Sequence, residues 1–480
     1  MASTTSVLTI YLFGGTGDLS RKKLIPALFY LFTKNLLPAF RIVAIARQSF
    51  TKQEYWQRLT DSLNPADAQQ WQDFLTHVEY VAGDSTSDAL YQSLAGELTT
   101  SRLTGDRIFY LATLPHLYAT IAKQLRFHRL TENTAGWSRL LVEKPFGVDL
   151  ETSRALNVEL LSAFPEQDIF RIDHFLAKET VQNMLAFRFA NGVFENLWHS
   201  QYVDHIQITS GEPMGVEGRE QFYNDVGVVR DVVQNHVLSL LAIALMEEPA
   251  SFEPKAIQRE RLRLLSQIEV LGDVGVGDRV KFGQYEHSPD SLLHEKVPTA
   301  VAMRLSVLNM RWNGVPIYIR AGKQFPTRVT ELSIIFKEPL NRMFGADSKH
   351  QSPNILTFRI QPNEGIILCV NVKKPGFEYG IERVPMSFCY SSSFTDAQLP
   401  EAYSKVIYDA IKGDPTLFLD EQGVDASWAA VQPMLAWQAE TKHKPEPYAK
   451  NSWGPESFNQ LLAKDGRSWI EPDMSVCSLG

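Results

Sequence analysis

Cysteine is scarce. The 480 residues hold only Cys369, Cys389 and Cys477, too few and too widely spaced for a disulfide framework or a CxxC metal site. The eleven histidines include no HExxH or similar ligand pair, so no metal is expected. Long apolar runs are missing too. The longest, residues 237–246, is interrupted by Ser239 and falls short of the ~20 residues that span a bilayer, so no membrane is expected. The opening MASTTSVLTIYLFGGTG has no basic region ahead of its apolar run and no cleavage signal, which makes the cytoplasm the expected location. Positive charge is in deficit, with 47 Lys and Arg against 55 Asp and Glu for a net charge of −8. Such a chain is a poor wrapper of nucleic acid, while a local basic pocket for a small anion stays compatible with it. The chain also has no internal repeat and no low-complexity segment.

What is present is globular material: 44% apolar and 21% charged residues exclude wholesale disorder. The length sets a soft prior of about three domains at ~150 residues each. In the first third, short apolar runs (7–13, 42–46, 108–112, 140–142) alternate with helical patterns (24–37, 117–125). That rhythm predicts βαβ units and a parallel sheet. After about Asp173 the texture changes. Runs at 205–210, 300–309, 315–319, 332–336 and 355–360 look like strands without regular helices between them, and the long helical patterns are 178–190 and 228–246. The expected fold is an α/β Rossmann domain over residues 1–173, then an α+β domain over 174–480 with a large, mainly antiparallel sheet. The Pro-, Gly- and aromatic-rich tail from about His443 is expected to be irregular but docked.

The first strand runs into Gly14-Gly15-Thr16-Gly17-Asp18-Leu19 and then a helix. Such a turn lets backbone N–H groups approach a pyrophosphate at a helix N-terminus. Its spacing is GxxG with an extra glycine, and a tight turn without a ligand is the competing reading. The second strand ends in Ala46-Arg47-Gln48. An NAD site normally has an acid there to hold the ribose 2′-OH, whereas a basic residue accommodates a 2′-phosphate. No Asp or Glu occurs over residues 41–52, so Arg47 favours NADP. A second glycine-rich stretch, GDVGVGD at 272–278, has two carboxylates that would repel phosphate and no helix pattern after it; it is expected to be a loop.

Three further clusters carry chemistry. Glu143-Lys144-Pro145 closes a buried strand, where ligands of open α/β sheets bind. In Arg171-Ile172-Asp173-His174-Phe175-Leu176-Ala177-Lys178-Glu179, an imidazole and an ammonium four residues apart can be aimed at one phosphate; ordinary caps and surface charges are the alternative. Arg230-Asp231-Val232-Val233-Gln234-Asn235-His236 opens an apolar helix. A lone histidine on such a face is more often packed than catalytic, and as a base it needs an orienting carboxylate.

Together the motifs GGTGDLSRKKL, AIARQ, LVEKPFG, RIDHFLAKETVQN, RDVVQNH, YIRAGK and SWGP, in this order from Tyr11 to Pro455, resemble the glucose-6-phosphate dehydrogenase family. The resemblance implies oxidation of D-glucose 6-phosphate at C1 to 6-phospho-D-glucono-1,5-lactone with hydride transfer to NADP, opening the oxidative pentose phosphate pathway. It also implies a homodimer or dimer of dimers built on the large sheet. Carried over by position, His236 matches the general base and Asp173 its carboxylate partner. His174 and Lys178 match phosphate binders. Lys23, Lys144, Glu212, Asp231, Lys323, Arg328 and Gln361 match contacts to the sugar or its phosphate, with Lys144 also near the cofactor. Tyr118 matches a residue on the cofactor side, and Pro145 a cis proline. The family usually has Tyr after the Asp-His pair; Phe175 lacks that donor. No motif signals a second, structural NADP site. A broader sugar oxidoreductase also uses Glu-Lys-Pro, but His174 and Lys178 favour a phosphorylated substrate. A non-catalytic NADP-binding subunit would be expected to lack His236 or Asp173, and both are present.

Overall fold

Apolar strands of the first third pair side by side as a parallel sheet. In the computed structural model, which describes residues 7–100, 105–270, 275–288, 291–339, 352–377, 379–394 and 401–477, β1 (Leu8–Phe13), β2 (Phe40–Ala46), β3 (Val78–Ala82), β4 (Arg107–Leu111), β5 (Ser138–Val142) and β6 (Ile169–Ile172) lie in the order β6-β5-β4-β1-β2-β3. Every residue of β1 is buried, as expected of a central strand covered on both faces. The strand order reverses between β1 and β4, and that switch point is where open α/β sheets bind ligands.

The chain forms two compact units, and their limits differ from the expected division after residue 173. The first holds the described residues through Ala177, Ser251–Gln258 and the described part of Pro400–Asp425. Phe418–Leu419 is the reason: it pairs antiparallel with β6 as a seventh strand, Phe418 opposite Ile172 and Leu419 opposite Arg171. Helix Ala402–Lys412 packs on helix Ile25–Thr33, and the Arg139 guanidinium donates to the carbonyls of Ala410 and Ile411, both at 2.9 Å, closing its C-terminal end.

The second unit is built on a larger sheet. Its strands are β7 (Val203–Glu212), β8 (Ile268–Glu269), β9 (Val280–Tyr285), β10 (Ala300–Val307), β11 (Ile317–Lys323), β12 (Val329–Phe336), β13 (Ile355–Gln361), β14 (Gly365–Lys373) and β15 (Ile381–Cys389). The order is β15-β14-β13-β12-β7-β11-β10-β9, continued by Glu446–Tyr448, with β8 on β10. Pairing is antiparallel except β7 with β11 and β9 with Glu446–Tyr448. The expected mainly antiparallel sheet is present.

Three local expectations change, while the long apolar helix stays a core element. The tail is partly regular, because Phe458, Leu461 and Leu462 give helix Glu456–Ala463 an apolar face that packs with Tyr448 and Trp469. Cys389 and Cys477, 88 residues apart in sequence, form a disulfide, since the returning tail ends beside β15. The stretch Glu220–Leu245 has the length and apolarity of a membrane span, but 89% of its apolar window is buried, as in a core helix. It kinks at Gly227, whose φ of 60° lies in the left-handed region. Residues 272–274 of the second glycine-rich stretch lie outside the described residues, and Val276–Arg279 forms one helical turn leading into β9.

Candidate active site

The glycine turn of the first unit is fixed by close approach of three backbones. Gly14 has φ 85°, and a Cβ there would sit 2.3 Å from the Ala112 carbonyl oxygen after β4. A Cβ on Gly15 would come within 2.8 Å of the Ala44 Cβ on β2. Both glycine N–H groups donate to the Ile45 carbonyl at 2.9 Å, and the Ser20 hydroxyl donates to the Gly14 carbonyl at 2.8 Å. The helix then opens with a π turn over Ser20–Leu24, in which the Ile25 N–H reaches back to Ser20. Asp18 is exposed and paired with Lys22 at 3.0 Å and Arg21 at 2.6 Å; the Lys22 hydrogen bond holds its carboxyl below the usual range. Lys23 is exposed and paired with Glu401 at 3.3 Å.

A cleft of about 860 Å³ opens at the switch point. Of the expected cofactor residues, Gly14, Thr16, Gly17 and Arg47 line it. Gly15 is turned onto β2, and Tyr118 is buried, its hydroxyl 3.5 Å from the Thr113 carbonyl; neither these two nor Asp18, Leu19 and Lys144 line the cleft. The cradle fits a dinucleotide, because only a residue without Cβ leaves the turn this close to β2 and β4. Sequence reading missed Asp84, Ser85, Thr86 and His116 on the same wall. Their signal is position: Asp84 to Thr86 follow β3, the next strand after Arg47. The Thr86 backbone N–H and hydroxyl both donate to Asp84 at 2.8 Å and hold its carboxyl below the usual range.

Beyond β5 lies a buried polar cluster. Glu143 is 7% exposed and accepts the Tyr110 hydroxyl at 2.6 Å and the Tyr403 hydroxyl. Burial pushes its carboxyl up to about 7, against the pull of Tyr110, Lys144 and Tyr403. The Lys144–Pro145 bond is cis, as the resemblance implies. Asp173 is buried directly after β6 and accepts the Phe175 N–H at 3.0 Å. The His174 ring stacks on Tyr403 with centroids 5.9 Å apart and meets Phe175 edge-on at 5.2 Å. Tyr403 was missed, because it reaches this corner only through the long-range return of its helix.

In the second unit, Lys178 precedes helix Glu179–Phe189 and donates to the Gln361 side-chain oxygen at 2.9 Å, while Gln361 donates to the Thr330 hydroxyl at 3.1 Å. Lys323 and Glu212 are register partners across the parallel β7–β11 pair. The Lys323 ammonium lies 2.7 Å from Glu212 and 3.0 Å from Asp231. Burial works against its charge, but the two carboxylates outweigh it and hold the ammonium above its usual range. Asp231 and His236 sit on the π-helical stretch Val229–Val237, where the Leu238 N–H reaches back to Val233. At 100° per residue in an α-helix they would point ~140° apart, whereas an i→i+5 helix brings them within about one turn of each other. His236 is buried, and its backbone N–H donates to the Asn235 side-chain oxygen at 2.6 Å. Arg328 is exposed on the turn before β12 and joins neither the Lys178 nor the Lys323 cluster.

Comparison with known proteins adds to this geometry. Residues 11–183 match the family model described as "Glucose-6-phosphate dehydrogenase, NAD binding domain", and residues 185–470 match "Glucose-6-phosphate dehydrogenase, C-terminal domain". The glucose-6-phosphate 1-dehydrogenase of Borreliella burgdorferi is 38% identical over 96% of this chain and 98% of its own length. That of Bacillus subtilis is 36% identical over 96% of this chain and 97% of its own length. A solved glucose-6-phosphate dehydrogenase in complex with its substrate glucose 6-phosphate superposes with a TM-score of 0.88 at 31% identity, covering 98% of this chain and 100% of that one. A crystal structure of the glucose-6-phosphate 1-dehydrogenase from Mycobacterium avium has a TM-score of 0.85 at 31% identity, covering 98% of this chain and 99% of that one.

Proposed function

This chain belongs to the glucose-6-phosphate dehydrogenase family, and on that premise we propose NADP as its dinucleotide and His236 as its catalytic base. The enzyme oxidises D-glucose 6-phosphate at C1 to 6-phospho-D-glucono-1,5-lactone with hydride transfer to a nicotinamide dinucleotide, the first step of the pentose phosphate pathway. The observation that carries the reading is the match of almost the whole chain to both family regions. Preference for NADP is supported by Arg47, which lines the dinucleotide cleft where an acid would select NAD.

When bound, the dinucleotide accepts the hydride leaving C1. His236 takes the C1 hydroxyl proton, and Asp173 orients the imidazole and stabilises the imidazolium that forms. His174 and Lys178 bind the phosphate. Lys23, Lys144, Glu212, Asp231, Lys323, Arg328 and Gln361 contact the sugar or its phosphate. The shared turn of Asp231 and His236 supports this division, as does an ammonium at Lys323 held charged by two carboxylates. The test is initial rates with glucose 6-phosphate and each dinucleotide separately; no turnover with either defeats the proposal. We also propose assembly as a homodimer or dimer of dimers through the large sheet, because β14 and β15 close it with Val372 and Met386 exposed. A monomer in sedimentation velocity at working concentration contradicts that.

A further inference from the structure

We propose that Glu143 is a positioning residue that fixes the imidazole plane of His174 through Tyr403. The inference rests on the reading of His174 as a phosphate ligand. It follows from a chain of contacts inside the first unit: Tyr110 hydroxyl to Glu143 at 2.6 Å, Glu143 to the Tyr403 hydroxyl, and the Tyr403 ring stacked at 15° on His174. An imidazole offers a phosphate an N–H only in the plane of its ring, so the ring plane decides whether that hydrogen bond forms. Tyr403 packs against this ring face-on and Phe175 edge-on, and both contacts constrain its plane. The Phe175 side chain carries no polar atom, so packing alone holds its ring. Tyr403 has one, and its anchor is the Glu143 carboxyl.

A purely structural anchor needs no charge. A buried carboxyl is costly to ionise, and an amide would accept the same phenol. The carboxyl faces Tyr110 on β4, Tyr118 on the following helix, Lys144 next to it, Asp173 after β6 and Tyr403. With its carboxyl pushed up to about 7, Glu143 changes protonation near neutral pH. Ionised, it accepts both phenols; protonated, it must give up one acceptor site to its own proton. Orientation of His174 is therefore tighter above that pH than below it.

The experiment measures KM for glucose 6-phosphate and kcat for the intact enzyme and for Glu143→Ala, Glu143→Gln, Tyr403→Phe and His174→Ala, from pH 6 to 8.5. Glu143→Ala is expected to raise the sugar-phosphate KM about ten-fold at pH 8 while kcat and the dinucleotide KM change less than about two-fold. Glu143→Gln restores most of that loss and lacks the improvement in KM that the parent shows between pH 6 and 8. Tyr403→Phe keeps the ring and reproduces the Glu143→Ala effect in part, so the inference stays testable if the alanine variant fails to fold. If His174→Ala raises KM while Glu143→Ala and Tyr403→Phe leave it unchanged, the positioning inference is overturned and the phosphate assignment stands. If His174→Ala leaves KM unchanged, the phosphate assignment itself has failed. A Glu143→Gln variant with the parent's pH profile removes the role of ionisation.

Discussion

Replacing Arg47 by Ala isolates one group in the dinucleotide cleft. Arg47 is exposed at the end of β2 and makes no hydrogen bond or ion pair among the described residues. Its charge reaches the Asp84 carboxylate only through space. Truncation therefore breaks nothing inside the first unit, and stability should move by no more than about 0.5 kcal/mol. A hydrogen bond to a charged group contributes about 1.5–3 kcal/mol, equivalent to roughly ten- to a hundred-fold in affinity. Solvent exposure and the opposing charge of Asp84 favour the lower end, about ten-fold. The KM for NADP should rise by that factor. The KM for NAD, which has no 2′-phosphate, should stay within about two-fold. Because the contact is solvent-exposed, salt should weaken NADP binding to the parent and have little further effect on the variant. Initial rates at saturating glucose 6-phosphate, with each dinucleotide varied at two ionic strengths, decide the matter. An equal rise in both KM values refutes the 2′-phosphate contact.

Other variants test the remaining assignments. His236→Asn should lower kcat by about 10²–10⁴-fold with little change in the sugar-phosphate KM, and near-normal turnover would return this histidine to core packing. Phe175→Tyr should lower the KM for glucose 6-phosphate and leave the NADP KM alone, since it adds a donor beside His174; an unchanged value means the buried ring does not face the phosphate. Glu143→Gln should melt higher than the parent at pH 8 and no higher at pH 5. The folded chain keeps a proton on Glu143 up to about pH 7, whereas an unfolded glutamate loses it near ~4.3, so the parent loses stability as pH rises between these values. A difference in melting temperature that does not vary with pH counts against a buried titrating carboxyl.

Local patterns carried most of this fold. The continuous apolar runs of β1, β2, β4 and β5 are legible because a strand buried on both faces admits little else. Gly14 is legible because two backbones meet there. The missed features depend on residues distant in sequence. Phe418–Leu419 is too short to register as a strand until β6 offers it an edge. Cys389 and Cys477 look unrelated until the tail has crossed the sheet. Tyr403 and Glu143 are separated by most of the chain, so neither hints at the other. Asp231 and His236 are legible as residue types, but the i→i+5 hydrogen bonding of the Val229–Val237 stretch that carries them has no signature in the local pattern.

The late return of Phe418–Leu419 to β6 also sets a schedule on the ribosome. At about 5–20 residues per second, the strand that closes this edge is made about 250 residues after β6, roughly 10–50 s later. Throughout that interval the nascent first unit presents β6 as an open edge, able to pair with any extended chain nearby. Helix Ala402–Lys412 arrives in the same late window to cover helix Ile25–Thr33. A polypeptide released early, anywhere between Ala177 and Lys412, therefore carries a nucleotide-fold half with one uncapped border and should be a substrate for chaperones or for aggregation rather than a free-standing binding module.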